Sequence, residues 1–157
     1  LDGYELYTYE RKDKHGGGVL VYIKDLYTST LIDVAKDDMI EAIWLEIKSF
    51  LGNCIRLGIF YRPPDQSREF DILMCQEIAR GCSTSMKSFV IGDFNYPDIN
   101  WENMEVKNVA SQIFIDCILD NFLCQSVSKS TRQDTILDLV VVEGFNSSGC
   151  RRNFGFQ

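Results

Sequence analysis

The 157-residue sequence predicts an α+β fold in which helices cover a largely antiparallel sheet. Three observations carry this. Four segments in the N-terminal part are rich in β-branched and aromatic residues, with apolar and polar positions alternating. Short turns containing Gly, Asn or Pro separate them, and from Ser67 onward the apolar spacing becomes helical. Hydrophobic residues make up 45% and charged residues 25% of the chain, with 11 Gly and 3 Pro, which excludes a disordered or collagen-like polymer. A domain of this size buries roughly 68–70% of its unfolded surface, so a core forms without staples.

The elements follow in order. Tyr4 to Glu10, Gly18 to Lys24, Ile40 to Lys48 and Cys54 to Tyr61 read as strands, the alternation being clearest at Ile43, Leu45, Ile47 and at Ile55, Leu57, Ile59. Those six side chains are expected to be buried. Turns are expected at Lys14-His15-Gly16-Gly17, Leu51-Gly52-Asn53 and Pro63-Pro64-Asp65, and such short connections imply antiparallel neighbours. Ser67 is the expected N-cap of a helix carrying Phe70, Leu73, Met74, Glu77 and Ile78 on neighbouring turns and ending near Gly81. Ser88 to Ile91 is a short apolar strand, and Val106, Val109, Ala110, Ile113, Cys117 and Ile118 mark a second amphipathic helix ending near Phe122. Leu123 to Val127 and Ile136 to Val142 complete the strands. After Glu143 the apolar period is lost, so residues 1–143 are read as one domain and 144–157 as a tail unrelated to it.

Sixteen Lys and Arg against 23 Asp and Glu give a net charge of −7, which argues against holding nucleic acid by bulk positive charge and leaves local phosphate contacts open. No stretch of about 18 uncharged apolar residues is present, and Leu1-Asp2-Gly3-Tyr4 lacks the features of a secretory signal. The expectation is a protein without a membrane partner, not secreted, in the nucleus or cytoplasm. The absence of an initiator Met suggests a piece of a longer polypeptide. Six cysteines without a C-x-x-C pair, and His15 as the one histidine, argue against zinc and for free, mostly buried thiols. The sequon Asn146-Ser147-Ser148 is then expected to be silent. Gly16-Gly17-Gly18 lacks the helix that a phosphate-cradling loop needs and reads as hairpin geometry, with His15 a solvated loop residue.

Chemistry concentrates at strand ends. Asp93 and Asn95 stand two apart after an apolar strand, a carboxylate and an amide on one side of a sheet rim. Phosphodiester hydrolysis needs a group that orients water, neutral donors for the charge developing on phosphate, and a hard cation with oxygen ligands. An Asx turn is the competing explanation. Tyr61-Arg62-Pro63-Pro64 leaves a phenol and a guanidinium where the prolines stop the ladder, both able to bind phosphate, although an edge-strand tyrosine would look the same. Asp138 opens an apolar strand, where a charge is costly without a partner, and Thr131-Arg132 could supply one as a structural ion pair.

Taken together, Asp2-Gly3-Tyr4, Gly16-Gly17-Gly18-Val19, Glu41-Ala42-Ile43-Trp44-Leu45, Tyr61-Arg62-Pro63-Pro64, Gly92 to Trp101, Thr131-Arg132 and Leu137-Asp138-Leu139 resemble, in this order, the endonuclease domain of non-LTR (LINE-type) retrotransposons. That domain belongs to the DNase-I-like endonuclease/exonuclease/phosphatase superfamily. The resemblance covers about Leu1 to Glu143 and implies a four-layer α/β/β/α sandwich, here incomplete. It also implies magnesium, DNA as substrate, and a reverse transcriptase in the parent polypeptide. By motif, Asp93 would orient the attacking water, and Asn95 would stabilise the phosphate, both near the metal. Tyr61 would contact the phosphate, Asp138 would hold a catalytic histidine, and Arg62, Thr131 and Arg132 would face the substrate. The family's strand-end metal Glu is expected upstream of Leu1 and its Ser-Asp-His downstream of Asp138. Neither occurs, and His15 lies in a different motif. The expectation is therefore an inactive or very weak, aggregation-prone form, with a non-catalytic protein- or nucleic-acid-binding remnant as the alternative.

Overall fold

The computed structural model describes residues 1–9, 18–35 and 39–144. In chain order the elements are β1 (Tyr4–Tyr9), β2 (Val19–Lys24), β3 (Thr28–Val34), β4 (Glu41–Lys48), β5 (Cys54–Tyr61), α1 (Arg68–Cys82), β6 (Lys87–Asp93), α2 (Val109–Asp120), β7 (Leu123–Gln125) and β8 (Asp138–Glu143). They form two sheets, a β1–β2 ribbon and a six-stranded sheet ordered β3-β4-β5-β6-β8-β7. Every neighbouring pair is antiparallel except β5–β6, which is parallel because the chain crosses over through α1 between them.

The two faces of the larger sheet have different cover. Ala42, Trp44, Phe60, Val90, Leu139 and Val141 point to α1 and α2, where Phe70, Met74, Ile78, Phe114 and Ile118 close the main core. Ile43, Leu45 and Ile59 point the other way and pack on Val19 and Ile23 of the ribbon. Among the described residues the order is helices, six-stranded sheet, ribbon: an α+β sandwich with three of the expected four layers. Capping follows the side-chain chemistry, since Ser67 Oγ accepts from Phe70 N at 3.2 Å and Asn108 Oδ1 from Ser111 N at 2.9 Å.

Several expectations are corrected. The first four expected strands do not make one antiparallel run, because β1 and β2 form their own ribbon and the chain changes sheets at residues 25–27. The added strand, β3, has no apolar alternation that would reveal it: Leu31 and Ile32 are both exposed, and the register with β4 slips between Leu31 and Asp33. Ile43, Leu45 and Ile59 are buried as expected, whereas Ile47, Ile55 and Leu57 are half-buried toward the end of the sheet away from the ribbon's main contact. Helix α2 begins at Val109 and not Val106, because Asn108 caps it. Cys54, Cys75, Cys82 and Cys117 are free thiols, but Cys124 is in a disulfide. The expected turn at residues 14–17, His15, the sequon and nearly all of the tail lie outside the described residues.

Candidate active site

Strand register assembles the site. Glu41 pairs with Tyr61, Tyr61 with Asp93, and Asp93 with Asp138, so four adjacent strands contribute one transverse row at the same end of the sheet. Directly opposed residues share a face, and their Cβ atoms lie roughly 5 Å apart in an antiparallel pair. Parity puts this row on the ribbon side, in line with Ile43, Ile59, Ile91 and Val140. The chain is sharply constrained beneath it: a Cβ on Gly92, whose φ is +155°, would stand 1.9 Å from the Phe60 carbonyl oxygen. Only glycine lets β6 approach β5 this closely just before Asp93.

Asp93 is half-buried, and its Oδ1 is buried without a hydrogen-bond partner among the described residues. Burial, then the neighbouring Asp138 carboxylate, push its pKa above the ordinary value, against the opposing effects of Asn95 hydrogen bonds and the Arg132 charge. Asn95 adopts the left-handed conformation with φ 49°, which its short amide tolerates, and its Nδ2 donates to the Arg62 carbonyl at 2.9 Å. Asp138 is exposed. The Thr131 hydroxyl accepts from the backbone N–H groups of Leu137 at 2.9 Å and Asp138 at 3.1 Å, fixing the start of β8. Thr135 N donates to the Arg132 carbonyl at 3.0 Å, closing a turn that leaves Arg132 exposed beside the row.

Arg62 is the departure. Instead of facing substrate it is 4% exposed, with Nε donating to Asp71 Oδ1 at 2.7 Å and Nη2 to Oδ2 at 3.3 Å. Its guanidinium lies 4.1 Å over the Tyr96 ring and donates to the Pro63 and Asn95 carbonyls, while the Tyr96 hydroxyl donates to Asp71 Oδ1 at 2.7 Å. Burial acts against the arginine's charge, and the Asp71 carboxylate more than compensates, so its pKa rises. The bracket joins β5, α1 and the loop after β6, and Arg62 holds Asn95 at two points, its guanidinium donating to the Asn95 backbone carbonyl and its own carbonyl accepting from the Asn95 side-chain amide. The same loop is tied to α2 by Asp98, which accepts from Ser111 Oγ at 2.6 Å and Lys107 N at 3.0 Å.

Tyr61, Asp93, Asn95 and Asp138 thus come together, Thr131 and Arg132 border them, and Arg62 supports them from beneath. Sequence reasoning missed Glu41, whose Oε2 accepts from Gly18 N and so ties the ribbon to the row. The signal was present: like Asp138, it is a carboxylate opening an apolar strand. Asp71 and Tyr96 gave none, being ordinary residues of a helix first turn and a loop until the fold buries them around Arg62.

Comparisons with known proteins bear on the fold that carries this row. The endonuclease-reverse transcriptase family model matches residues 55–151, more than half of the chain. An endonuclease/exonuclease/phosphatase family protein from Bacteroides thetaiotaomicron superposes with a TM-score of 0.61 at 12% identity, over 91% of this chain and 60% of that one. The 3'-5' exonuclease NExo from Neisseria meningitidis gives 0.57 at 14% identity over 90% and 67%, and a family protein from Leptotrichia buccalis gives 0.54 at 16% over 92% and 62%. The chain spans between 60% and 67% of the length of these three structures. No curated protein matches it. Fold, register and family model converge on one conclusion: the chain belongs to the endonuclease-reverse transcriptase family, built on the endonuclease/exonuclease/phosphatase fold.

Proposed function

We propose that the chain is the core of a metal-dependent DNA endonuclease, a phosphodiester hydrolase of a non-LTR retrotransposon polyprotein that also carries a reverse transcriptase. We propose further that these 157 residues alone nick DNA little or not at all. The observation that carries the reading is the in-register row of Tyr61, Asp93 and Asp138, with the Asp93 Oδ1 buried and unpartnered at its centre.

The donor set fits a hard cation. Magnesium takes oxygen ligands, is commonly held by one or two carboxylates and keeps several waters. Asp93, Asn95 and Asp138 offer that much, although no group of three or more His, Cys, Asp or Glu suited to a metal occurs among the described residues. When bound, the ion would neutralise charge developing on the phosphate. The protein's own contributions follow from its geometry. Asp93 accepts a hydrogen bond from water and orients it, and the Tyr61 hydroxyl offers a donor to a phosphate oxygen. The Arg62 bracket keeps the Asn95 amide at the row, while the exposed Arg132 adds local positive charge to an acidic chain.

The missing function is a general base, which must lie within hydrogen-bond reach of the water. The sequence holds one histidine, and it is not in the Asp138 motif. Supercoiled-plasmid nicking with magnesium or a chelator tests the proposal. The expected result is no magnesium-dependent nicking above background, unchanged by Asp93→Ala. Robust nicking abolished by Asp93→Ala would overturn the inactivity, and robust nicking indifferent to Asp93 would overturn the site. Retention of DNA without cleavage is the outcome that favours a nucleic-acid-binding remnant. DNA as partner places the working protein in the nucleus or cytoplasm, and no helix among the described residues is long and apolar enough to cross a membrane.

A further inference from the structure

On the opposite side of the larger sheet, α1 and α2 border an open groove of about 330 Å³ lined by Ile72, Cys75, Gln76, Ile113, Cys117 and Asn121 among others. Cys75 and Cys117 are free thiols, one from each helix, and both line this groove. Cys117 Sγ is 3.6 Å from the Cys75 carbonyl oxygen, and Cys75 Sγ is 3.8 Å from the Ile113 carbonyl oxygen. Asn121 Nδ2 lies 3.8 Å from Cys117 Sγ. Two thiols that line one groove from facing helices, the Cys117 sulfur lying against the Cys75 backbone, have no part in the phosphodiesterase row. We propose that Cys75 and Cys117 are a reactive dithiol site for a small disulfide such as oxidised glutathione, whose reduction closes a disulfide between α1 and α2.

The chemistry assigns the roles. The neighbouring Cys75 thiol holds the Cys117 thiol below its ordinary range, with Asn121 assisting, against burial and the Asp120 charge. Cys75 itself is pushed up by the neighbouring Cys117 thiol and by burial. Cys117 is therefore the attacking thiolate. It attacks one glutathione sulfur, the glutathione S–S bond breaks, a Cys117–glutathione disulfide forms, and one glutathione thiolate leaves. Cys75 then gives up its proton and attacks Cys117 Sγ, displacing the second glutathione thiolate. The protein loses two protons and two electrons, and glutathione disulfide becomes two glutathione molecules.

Neighbouring cysteines supply internal comparisons. Cys54 is exposed and has no such neighbouring thiol among the described residues, and burial raises the Cys82 thiol to about 12. The test is incubation of the folded chain with oxidised glutathione, acid quenching and non-reducing peptide mapping. The expected product is a Cys75–Cys117 linked peptide pair, with a melting temperature above that of the untreated protein and restored by reductant. Cys75→Ser is expected to trap glutathione on Cys117, and Cys117→Ser to abolish the linkage. Glutathione on Cys54 alone, with Cys75 and Cys117 unlinked, would overturn the proposal. If either variant fails to fold, the wild-type map decides: linkage supports the site and its absence refutes it.

Discussion

Asp93 is held in a position that costs the fold stability at neutral pH. Its folded-state pKa is raised, first by burial and then by Asp138, so the folded chain holds that proton more tightly than the unfolded chain. Stability therefore falls as pH rises from the ordinary carboxylate value of about 3.9 through the raised folded value, and the penalty is complete at neutral pH. Asp93→Asn keeps the shape and removes the charge. Its melting temperature should exceed that of the wild type at pH 7, and the difference should vanish near pH 4, as scanning calorimetry across that range would show. An unchanged melting temperature at pH 7 would mean that a cation or Arg132 already compensates the charge. The residue scale also shows where sequence reading stops. Asp93, Asn95 and Asp138 were legible because a polar residue ending an apolar strand is conspicuous in one dimension. Arg62 was misplaced because its position in the chain, at a strand end before two prolines, is that of a rim residue. What turns it inward is Asp71 and Tyr96, nine and thirty-four positions away.

At the scale of elements, local chemistry predicted most of what formed. Ser67 caps α1 as read, and the 88–91 and 136–142 segments became β6 and β8 with shifted ends. Strand β3 escaped because an edge strand with both Leu31 and Ile32 exposed carries no periodic signal. Helix α1 shows how tertiary packing overrides propensity. Gly81 costs a helix roughly 1 kcal/mol relative to alanine. An added Cβ there would stand 1.9 Å from Trp44 Cζ2, however, and the indole is held by its Nε1 donating to Glu77 Oε1 at 3.0 Å and by the edge of Phe60. Overpacking of this kind costs about 1–3 kcal/mol or more, so the clash wins. Gly81→Ala is expected to lower stability by about 1–2 kcal/mol in urea unfolding, where an exposed helical glycine would have shown a gain.

The whole molecule is unequally supported, which decides how it opens. The six-stranded sheet has a buried core against both helices, and buried brackets such as Arg62 with Asp71 and Trp44 with Glu77 tie it to α1. The β1–β2 ribbon has only its inner face covered, by Val19 and Ile23 against Ile43, Leu45 and Ile59, while Tyr4, Leu6, Leu20 and Tyr22 on it are exposed. A two-stranded ribbon is marginal in water by itself, so its order depends on this apolar contact, on the Glu41 hydrogen bond to Gly18, and on Ser29 of β3, whose hydroxyl accepts from the Tyr7 hydroxyl at 3.1 Å and donates to Glu5 Oε2 at 2.8 Å. Local opening follows the element with the least buried apolar contact. Amide exchange of Leu6 and Tyr22 is therefore expected to be faster than that of Ile59 and Val90, through an opening that leaves the larger sheet intact. Glu41→Gln, which weakens the tether while leaving the ribbon's apolar contact in place, should speed ribbon exchange further and leave Val90 unchanged. Ribbon and sheet exchanging at one common rate would instead make the two layers a single cooperative unit that opens only on global unfolding.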